Sequence, residues 1–589
     1  MFLRYTVRKK NGKEHRYYSL VENRRVNRGR VVQRPVLYLG EINDSQQEAW
    51  RKTIELFEEG KPRPRTVALF PEDRMGPVAD GDIVRIRLQE LSLHRPRQWG
   101  ACWLAGQLWE QLQLDQFWAQ RLPPNRKGTR WDWVLQILVF YRLIEPGSEW
   151  RLYRHWFEHS ALADLLGVGL ELADIHKLYA CHDRLLKHQR ELFDHLTRRW
   201  KDLFNARFEV LLYDLTSTYF ESDPPLPEGD KRRYGYSRDK RPDCVQVVIA
   251  LIVTPEGFPL AYEVMAGNTS DKTTLPAFLQ KIEAQYGQAE RIWVMDRGIP
   301  TEEVLAQMRA AQPPIHYLVG TPRGRLGQYE QKLLALPWQV VREGVSVKLL
   351  AQEQELYVLA QSQDRVSKER AMRRRQLKGL WKRLQQLQRM KLKRDDRLKK
   401  LGVALHDFPT AARLVETAVA TKTAELSFSL RKDKLRQARR REGRYLLRSN
   451  LVSGRPPEEL WQFYIQLTQV EAAFKDLKDD LSLRPIYHQR EHRIEAHIFI
   501  SFLAYCLHVT LHRRLRDLAP GLTPRAVLEK FASIPMLDVH LPTTDGRTVI
   551  MSRYTQPEAD VQLLLQRLKL MLPPQPPPKI VNPKPKDQN

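Results

Sequence analysis

At 589 residues the chain is too long for one hydrophobic core, and three or four domains are expected. Its 42% hydrophobic content excludes a disordered chain, while a formal charge of +27 and a pI near 9.9 make polyanions the natural partner. Residues 498–509, the longest apolar run, fall well short of the ~20 residues a membrane span needs, and Met1-Phe2-Leu3-Arg4-Tyr5 has no apolar signal core.

Residues 1–75 alternate apolar and polar, as in Arg16-Tyr17-Tyr18-Ser19-Leu20-Val21 and Arg34-Pro35-Val36-Leu37-Tyr38-Leu39-Gly40, which predicts a small β-rich module. A helix is expected over 44–59, followed by the linker Lys61-Pro62-Arg63-Pro64-Arg65. Residues 76–205 form the next division, with a helical pattern rich in aromatics over 99–204 (Trp103, Trp109, Phe117, Trp131, Trp133, Tyr141, Trp150, Trp156). Aromatics at helical spacing build cores, and the same region is a candidate helical DNA-binding domain.

From 206 to 322 strands and helices alternate. Phe208-Glu209-Val210-Leu211-Leu212-Tyr213-Asp214 reads as a strand ending on an acid. Residues 245–254 form a continuous apolar strand, Pro255-Glu256-Gly257 a turn, and 258–265 a returning strand, so the three predict an antiparallel meander. A helix over 273–286, the strand Arg291-Ile292-Trp293-Val294-Met295-Asp296, a helix over 301–310 and a strand over 316–320 complete the series. This order predicts an α/β fold with an RNase H-like catalytic core, a mixed five-stranded sheet with helices.

The helical stretch around Glu471 supplies the acid that this core still lacks. It follows Asp296 by 175 positions (471 − 296), too far for a loop. An α+β insertion over 323–456 must therefore interrupt the core, which resumes over 457–518. Within the insertion, Val345-Ser346-Val347-Lys348-Leu349-Leu350 and Glu355-Leu356-Tyr357-Val358-Leu359-Ala360 read as a strand pair. Residues 519–572 predict a helix, a hairpin turning at Asp545-Gly546 and a last helix. The proline-rich tail, 573–589, is expected to be disordered.

The positive charge is concentrated. Residues 365–400 hold 16 Lys or Arg against Glu369, Asp395 and Asp396 (16 − 3 = +13), and 431–448 hold nine against Asp433 and Glu442 (9 − 2 = +7). A charge run is commonly a solvated helical face. Here the near absence of acids favours contact with a phosphate backbone. The four cysteines (Cys102, Cys181, Cys244, Cys506) are scattered with no metal-knuckle spacing, as expected of reduced residues in a cytoplasmic, nucleoid-associated protein.

Asp214, Asp296 and Glu471 are the candidate catalytic residues. Two strand-end aspartates and a helical glutamate can converge on two divalent ions, the arrangement that hydrolyses or transfers phosphodiesters. Oxygen donors suit Mg²⁺, with Mn²⁺ as a substitute. Taken singly, a strand-end aspartate is more often a turn cap, and Glu471 also fits an ordinary exposed helix face. Asp296 gains from the sharp exit Arg297-Gly298. Tyr464, Glu471 and Lys478 recur every seven residues, so on one continuous helix they share a face beside an apolar side marked by Ile465, Val470, Phe474 and Leu477.

At these residues the chain resembles DDE transposases of bacterial insertion sequences, the group with a Tyr-x2-Arg-x3-Glu-x6-Lys signature (insertion-sequence family four and its divergent relatives). The signature stands here as Tyr464, Leu467, Glu471 and Lys478, with leucine at the arginine position. The blocks around Asp214, Tyr234-Gly235-Tyr236-Ser237-Arg238-Asp239-Lys240-Arg241-Pro242-Asp243, Gly267-Asn268-Thr269-Ser270-Asp271 and Arg484-Pro485-Ile486-Tyr487-His488 carry the resemblance further. It implies a metal triad of Asp214, Asp296 and Glu471. It also implies DNA contacts from Tyr464, Lys478, Lys475, Arg297, Arg238, Arg484 and His488, and from Trp338, or secondarily Trp381, beneath a flipped base. His488, His492 and His497 are candidates to assist the site, or else line a helix face. The implied activity is metal-dependent cleavage and strand transfer at the terminal inverted repeats of an insertion sequence. Double-stranded DNA is the implied partner, and a homodimer would synapse two ends. A stand-alone nuclease and a domesticated DNA-binding protein are the alternatives.

Overall fold

The computed structural model describes the chain except for residues 11–12, 26–30, 43–45, 48–49, 51–84, 222–228, 288–290, 297–298, 322–328, 330–331, 334, 353, 422, 453–455 and 583–589. Most of the expected 44–59 helix, the 61–65 linker, and Arg297 with Gly298 lie outside the described residues.

Three strands, β1 (Phe2–Lys10), β2 (Lys13–Arg25) and β3 (Val31–Gly40), form the N-terminal sheet in that order. Strand β4 (Ser92–Gln98) then leads into α1 (Gly100–Gln111), α2 (Trp131–Ile144), α3 (Ile175–His182) and α4 (Gln189–Phe204). The aromatics of this helical region are mostly core: Trp103, Trp109, Trp131, Tyr141 and Trp156 are buried, and Trp99 stacks on Tyr554 with ring centroids 4.1 Å apart. Trp150 alone of the eight is well exposed, at 53%.

The apolar runs expected as strands form them. They are β5 (Val210–Phe220), β6 (Val245–Val253) and β7 (Pro259–Ala266), joined antiparallel as a meander. Next come α5 (Asp271–Tyr286), β8 (Ile292–Met295), α6 (Glu302–Ala310), β9 (His316–Gly320), β10 (Gln339–Arg342), β11 (Val345–Gln352) and β12 (Glu355–Ser362). Helices α7 (Gln363–Arg389) and α8 (Arg394–Asp407), the hairpin β13 (Val415–Val419) and β14 (Leu426–Leu430), and α9 (Lys432–Arg440) precede β15 (Arg444–Ser449). Helices α10 (Pro457–Ile465), α11 (Leu467–Lys478), α12 (Glu491–Leu518) and α13 (Pro524–Phe531) follow. Strands β16 (Pro535–Pro542) and β17 (Thr548–Tyr554), α14 (Ala559–Arg567) and β18 (Lys579–Val581) end the chain.

These elements divide into two compact units. One comprises Met1–Thr6, Tyr17–Thr274 and Thr468–Asn589, the other Val7–Arg16 and Leu275–Leu467.

In the first unit the C-terminal hairpin does not stand alone. Strand β4 pairs with β16 in a sheet of order β18-β17-β16-β4. The buried Arg97 of β4 fixes this join, donating to Asp538 of β16 at 2.8 Å and pairing with Asp164 at 2.8 Å. Of the proline-rich tail, residues 573–582 are described and 583–589 lie outside the described residues. Residues 579–581 pair with β17, and Gln575 exchanges hydrogen bonds with the Tyr554 backbone at 3.1 and 2.9 Å. Helix α12 is longer than the apolar run seen in sequence. Its 28 residues include an 18-residue stretch of mean hydropathy 1.6, long and apolar enough to cross a membrane, yet 94% of that stretch is buried within the fold, as in a core helix.

In the second unit the strands run β10-β11-β12-β15-β9-β8, antiparallel apart from the parallel β8–β9 pair, so the sheet is mixed. The expected insertion over 323–456 is thus not wholly separate, because β10, β11, β12 and β15 extend the sheet that holds β9. Residues between β12 and β15 build a core of their own, from Leu380, Leu384, Leu387, Leu401, Ala404, Ala411, Val415 and Leu426.

Three arginines counted in the basic stretches turn inward, Arg397 onto the carbonyls of Leu387 and Met390. Arg373 is buried against Glu442. Arg448 donates to Glu355 at 2.9 and 3.0 Å and to Glu302 at 2.7 and 2.8 Å. Breaking a buried ion pair from one side leaves a charge uncompensated, at a cost of about 3–5 kcal/mol. Arg448→Met is therefore expected to lower the thermal unfolding midpoint clearly, whereas Lys382→Met, on an exposed position, leaves it unchanged.

Candidate active site

The three candidate acids sit on three different kinds of element. Asp214 lies within β5 rather than at its end, half-buried and in register with Leu251 of β6, and its Oδ1 accepts the Leu215 N–H at 2.8 Å. The polar run Thr216-Ser217-Thr218 continues the strand and is buried, so polarity did not end it. Asp296 follows directly on β8 and is exposed, as its sequence setting predicts. Glu471 is exposed on α11, whose opposite side buries Val470, Phe474 and Leu477. Asp214 and Glu471 belong to the first unit, Asp296 to the second.

The expected continuous helix is interrupted. Helix α10 ends at Ile465, where the Gln466 N–H is shared between the carbonyls of Gln462 and Phe463, both at 3.2 Å. Tyr464 therefore sits on α10, with Glu471, Lys475 and Lys478 on α11, and the seven-residue row is not one helix face. Ile465 is 37% exposed, a correction to its expected burial. Tyr464 stacks on Tyr445 at 5.8 Å.

Around the strand that carries Asp214, three of the sequence blocks meet. Lys478 Nζ lies 2.9 Å from Asp239 Oδ1, and Arg484 Nη1 lies 3.0 Å from Asp239 Oδ2. The Arg484 guanidinium also rests 5.0 Å from the centroid of Tyr219, at the end of β5. The Arg238 N–H donates to Ser217 Oγ at 3.3 Å. Burial depresses the Lys478 pKa, opposed by its hydrogen bond to Asp239. Sequence reasoning missed Asp239, which neutralises two cations at once and fixes their spacing. Close backbone approach explains another of the blocks. A Cβ on Gly235 would stand 2.0 Å from the Gly267 carbonyl oxygen, so both glycines are required where these loops cross.

Asp239→Asn should leave Lys478 and Arg484 repelling each other at a mostly buried place. A hydrogen bond to a charged group contributes about 1.5–3 kcal/mol, so a measurable fall in thermal midpoint is expected. An unchanged melt would show the carboxylate to be dispensable.

The remaining expected contacts are distributed differently. His488 is buried, with Nε2 3.3 Å from Glu149. His497 is buried in the same cluster, and His492 pairs with Asp183 at 3.0 Å, because the amphipathic start of α12 turns them to different neighbours. Trp338, 36% exposed, is flanked by Lys348 and Arg444, 4.8 and 5.5 Å from its ring centroid. Trp381 packs edge-on against Phe428 at 4.8 Å. Lys475 is exposed on α11.

The fold is mixed α/β and carries a basic helical subdomain, with the three acids on strand and helix positions. Residues 207–507 match the transposase DDE domain family, and the chain belongs to that family. Residues 3–66 match the N-terminal domain of IS1634 family transposases. The protein is thus a DDE transposase of the bacterial insertion-sequence type, an enzyme that cleaves and transfers DNA strands with divalent metal ions. No curated protein matches it. Among solved structures, a cryo-EM structure of the piggyBac transposase synaptic complex with hairpin DNA is similar over 75% of this chain and 82% of that one, at 10% identity and a TM-score of 0.34.

Proposed function

We propose that the protein excises and reinserts its own insertion sequence, acting at the terminal inverted repeats by a cut-and-paste reaction. Asp214, Asp296 and Glu471 are the metal ligands of an RNase H-like core in this reading. Their donors are all carboxylate oxygens, the set that suits Mg²⁺ or Mn²⁺ rather than a thiolate- or imidazole-preferring metal. Two bound ions would activate the attacking oxygen and stabilise the leaving one.

The observation that carries the reading is the placing of Lys478 and Arg484 on one carboxylate, Asp239, beside the strand that holds Asp214. In this reading the phosphates of one strand take these two cations over from Asp239. Lys475 and Arg238, with Arg297 and Tyr464, extend that contact. Trp338 between two cations is the proposed seat for an unstacked base. The exposed cations of α7, α8 and α9 grip the backbone away from the cleaved phosphate. A homodimer brings two ends together before either is cut.

The test is cleavage of an end-labelled duplex carrying the element's terminal repeat, in Mg²⁺. The reading expects a cut at the outer boundary of the repeat that leaves a 3′-hydroxyl on the element. Cuts scattered without regard to the repeat would replace it with a stand-alone nuclease.

A further inference from the structure

Away from the acids, four metal-type ligands from distant parts of the chain meet in the interior of the first unit. Glu149 follows α2, His182 ends α3, His488 lies in the segment before α12, and His497 is on α12. All are buried, at 5, 1, 7 and 2% exposure. Glu149 Oε1 stands 3.4 Å from His182 Nε2, 3.3 Å from His488 Nε2 and 3.5 Å from His497 Nδ1. The four ligand atoms lie within 4.8 Å of one another.

These separations are long for charge-assisted hydrogen bonds, which favour about 2.7–2.9 Å. They match a different geometry. Ligands about 2.0–2.1 Å from a tetrahedral zinc ion lie about 3.3–3.4 Å from one another. The nitrogens are also set for it. His182 Nδ1 is 2.9 Å from the Leu178 carbonyl, so that nitrogen carries the proton and Nε2 presents its lone pair to the cluster. Such an outer hydrogen bond is the usual partner of a metal-bound histidine. His182 Nε2 and both ring nitrogens of His497 are buried and make no hydrogen bond, a state that costs stability unless something else satisfies them.

We infer that Glu149, His182, His488 and His497 form a structural zinc site. Four protein ligands close the coordination sphere, so the ion would not act on substrate. It would instead fasten the segment after Glu471 and Lys478 to the helical region. A cavity of about 240 Å³, lined in part by Tyr179, Tyr487, Glu149 and His488, gives a route to it. The rival arrangement has Glu149 serving only as counter-charge to the buried Arg142, with three neutral histidines around it.

The experiment is the zinc content of full-length protein purified without a histidine tag, incubated with zinc chloride and desalted. About one zinc per chain is expected in wild type and in Asp214→Asn, and loss of that zinc in the double variant Glu149→Gln with His497→Gln. Chelation should also lower the thermal midpoint of wild type, and zinc should restore it. Wild type that retains no zinc, or a double variant that retains as much as wild type, overturns the site. Should the double variant not fold, a wild-type melt that neither chelator nor zinc moves overturns it as well.

Discussion

Asp214→Asn, Asp296→Asn and Glu471→Gln are each expected to abolish strand cleavage while leaving binding of the repeat duplex within a few-fold of wild type. Each substitution keeps the side chain's shape and removes one negative donor from the proposed metal set. A metal ion at a reacting phosphoryl oxygen supplies several kcal/mol of transition-state stabilisation. Since each 1.36 kcal/mol is tenfold in rate, losses of about a thousandfold or more follow. Folding should survive. Asp296 and Glu471 are exposed, and Asp214 keeps an acceptor for the Leu215 N–H as asparagine. Binding with no cleavage in all three would separate catalysis from recognition. Cleavage at the wild-type rate in any one would remove that residue from the site.

The second large effect concerns salt. Arg374, Arg375, Lys378 and Lys382 are exposed on α7, three of them four residues apart on one stripe. If each meets a phosphate, replacing all four by alanine removes about four released counterions, and the slope of log K against log salt becomes shallower by about three to four. At 0.1 M salt the same arithmetic gives an affinity loss of about three orders of magnitude. Anisotropy of labelled duplex across a salt series reads both quantities. An unchanged slope would assign these cations to a solvated face, the commonest fate of a charge run.

Which parts of this were legible in sequence follows from the range of the interactions involved. Apolar runs such as Val245-Gln246-Val247-Val248-Ile249-Ala250-Leu251-Ile252-Val253 announce buried strands, and the meander of β5, β6 and β7 is local enough to read directly. The run through Thr216-Ser217-Thr218 misled because its polar side chains are buried within β5. The break at Gln466 was hidden because Tyr464, Glu471 and Lys478 keep a helical period across it.

Long-range pairings left no local trace. Strand β4 meets β16 across more than four hundred residues, with Arg97 and Asp538 ordinary charges until they are brought together. Asp239 resembled any loop acid until Lys478 and Arg484 closed on it. His488 and His497 were visible, but their partner Glu149 lies more than three hundred residues earlier, and no spacing rule links them. The basic stretches were legible as charge, though not which members turn inward, because burial of Arg373 and Arg448 depends on Glu442, Glu302 and Glu355.

The most direct test of the central claim is a joining assay. A pre-cut repeat end with a free 3′-hydroxyl is incubated with the protein, Mg²⁺ and supercoiled target plasmid, and the junctions are sequenced. The account predicts covalent joining of the element's 3′ end to the target by wild type, and none by Asp214→Asn, Asp296→Asn or Glu471→Gln. Joining that persists in those three variants would contradict it.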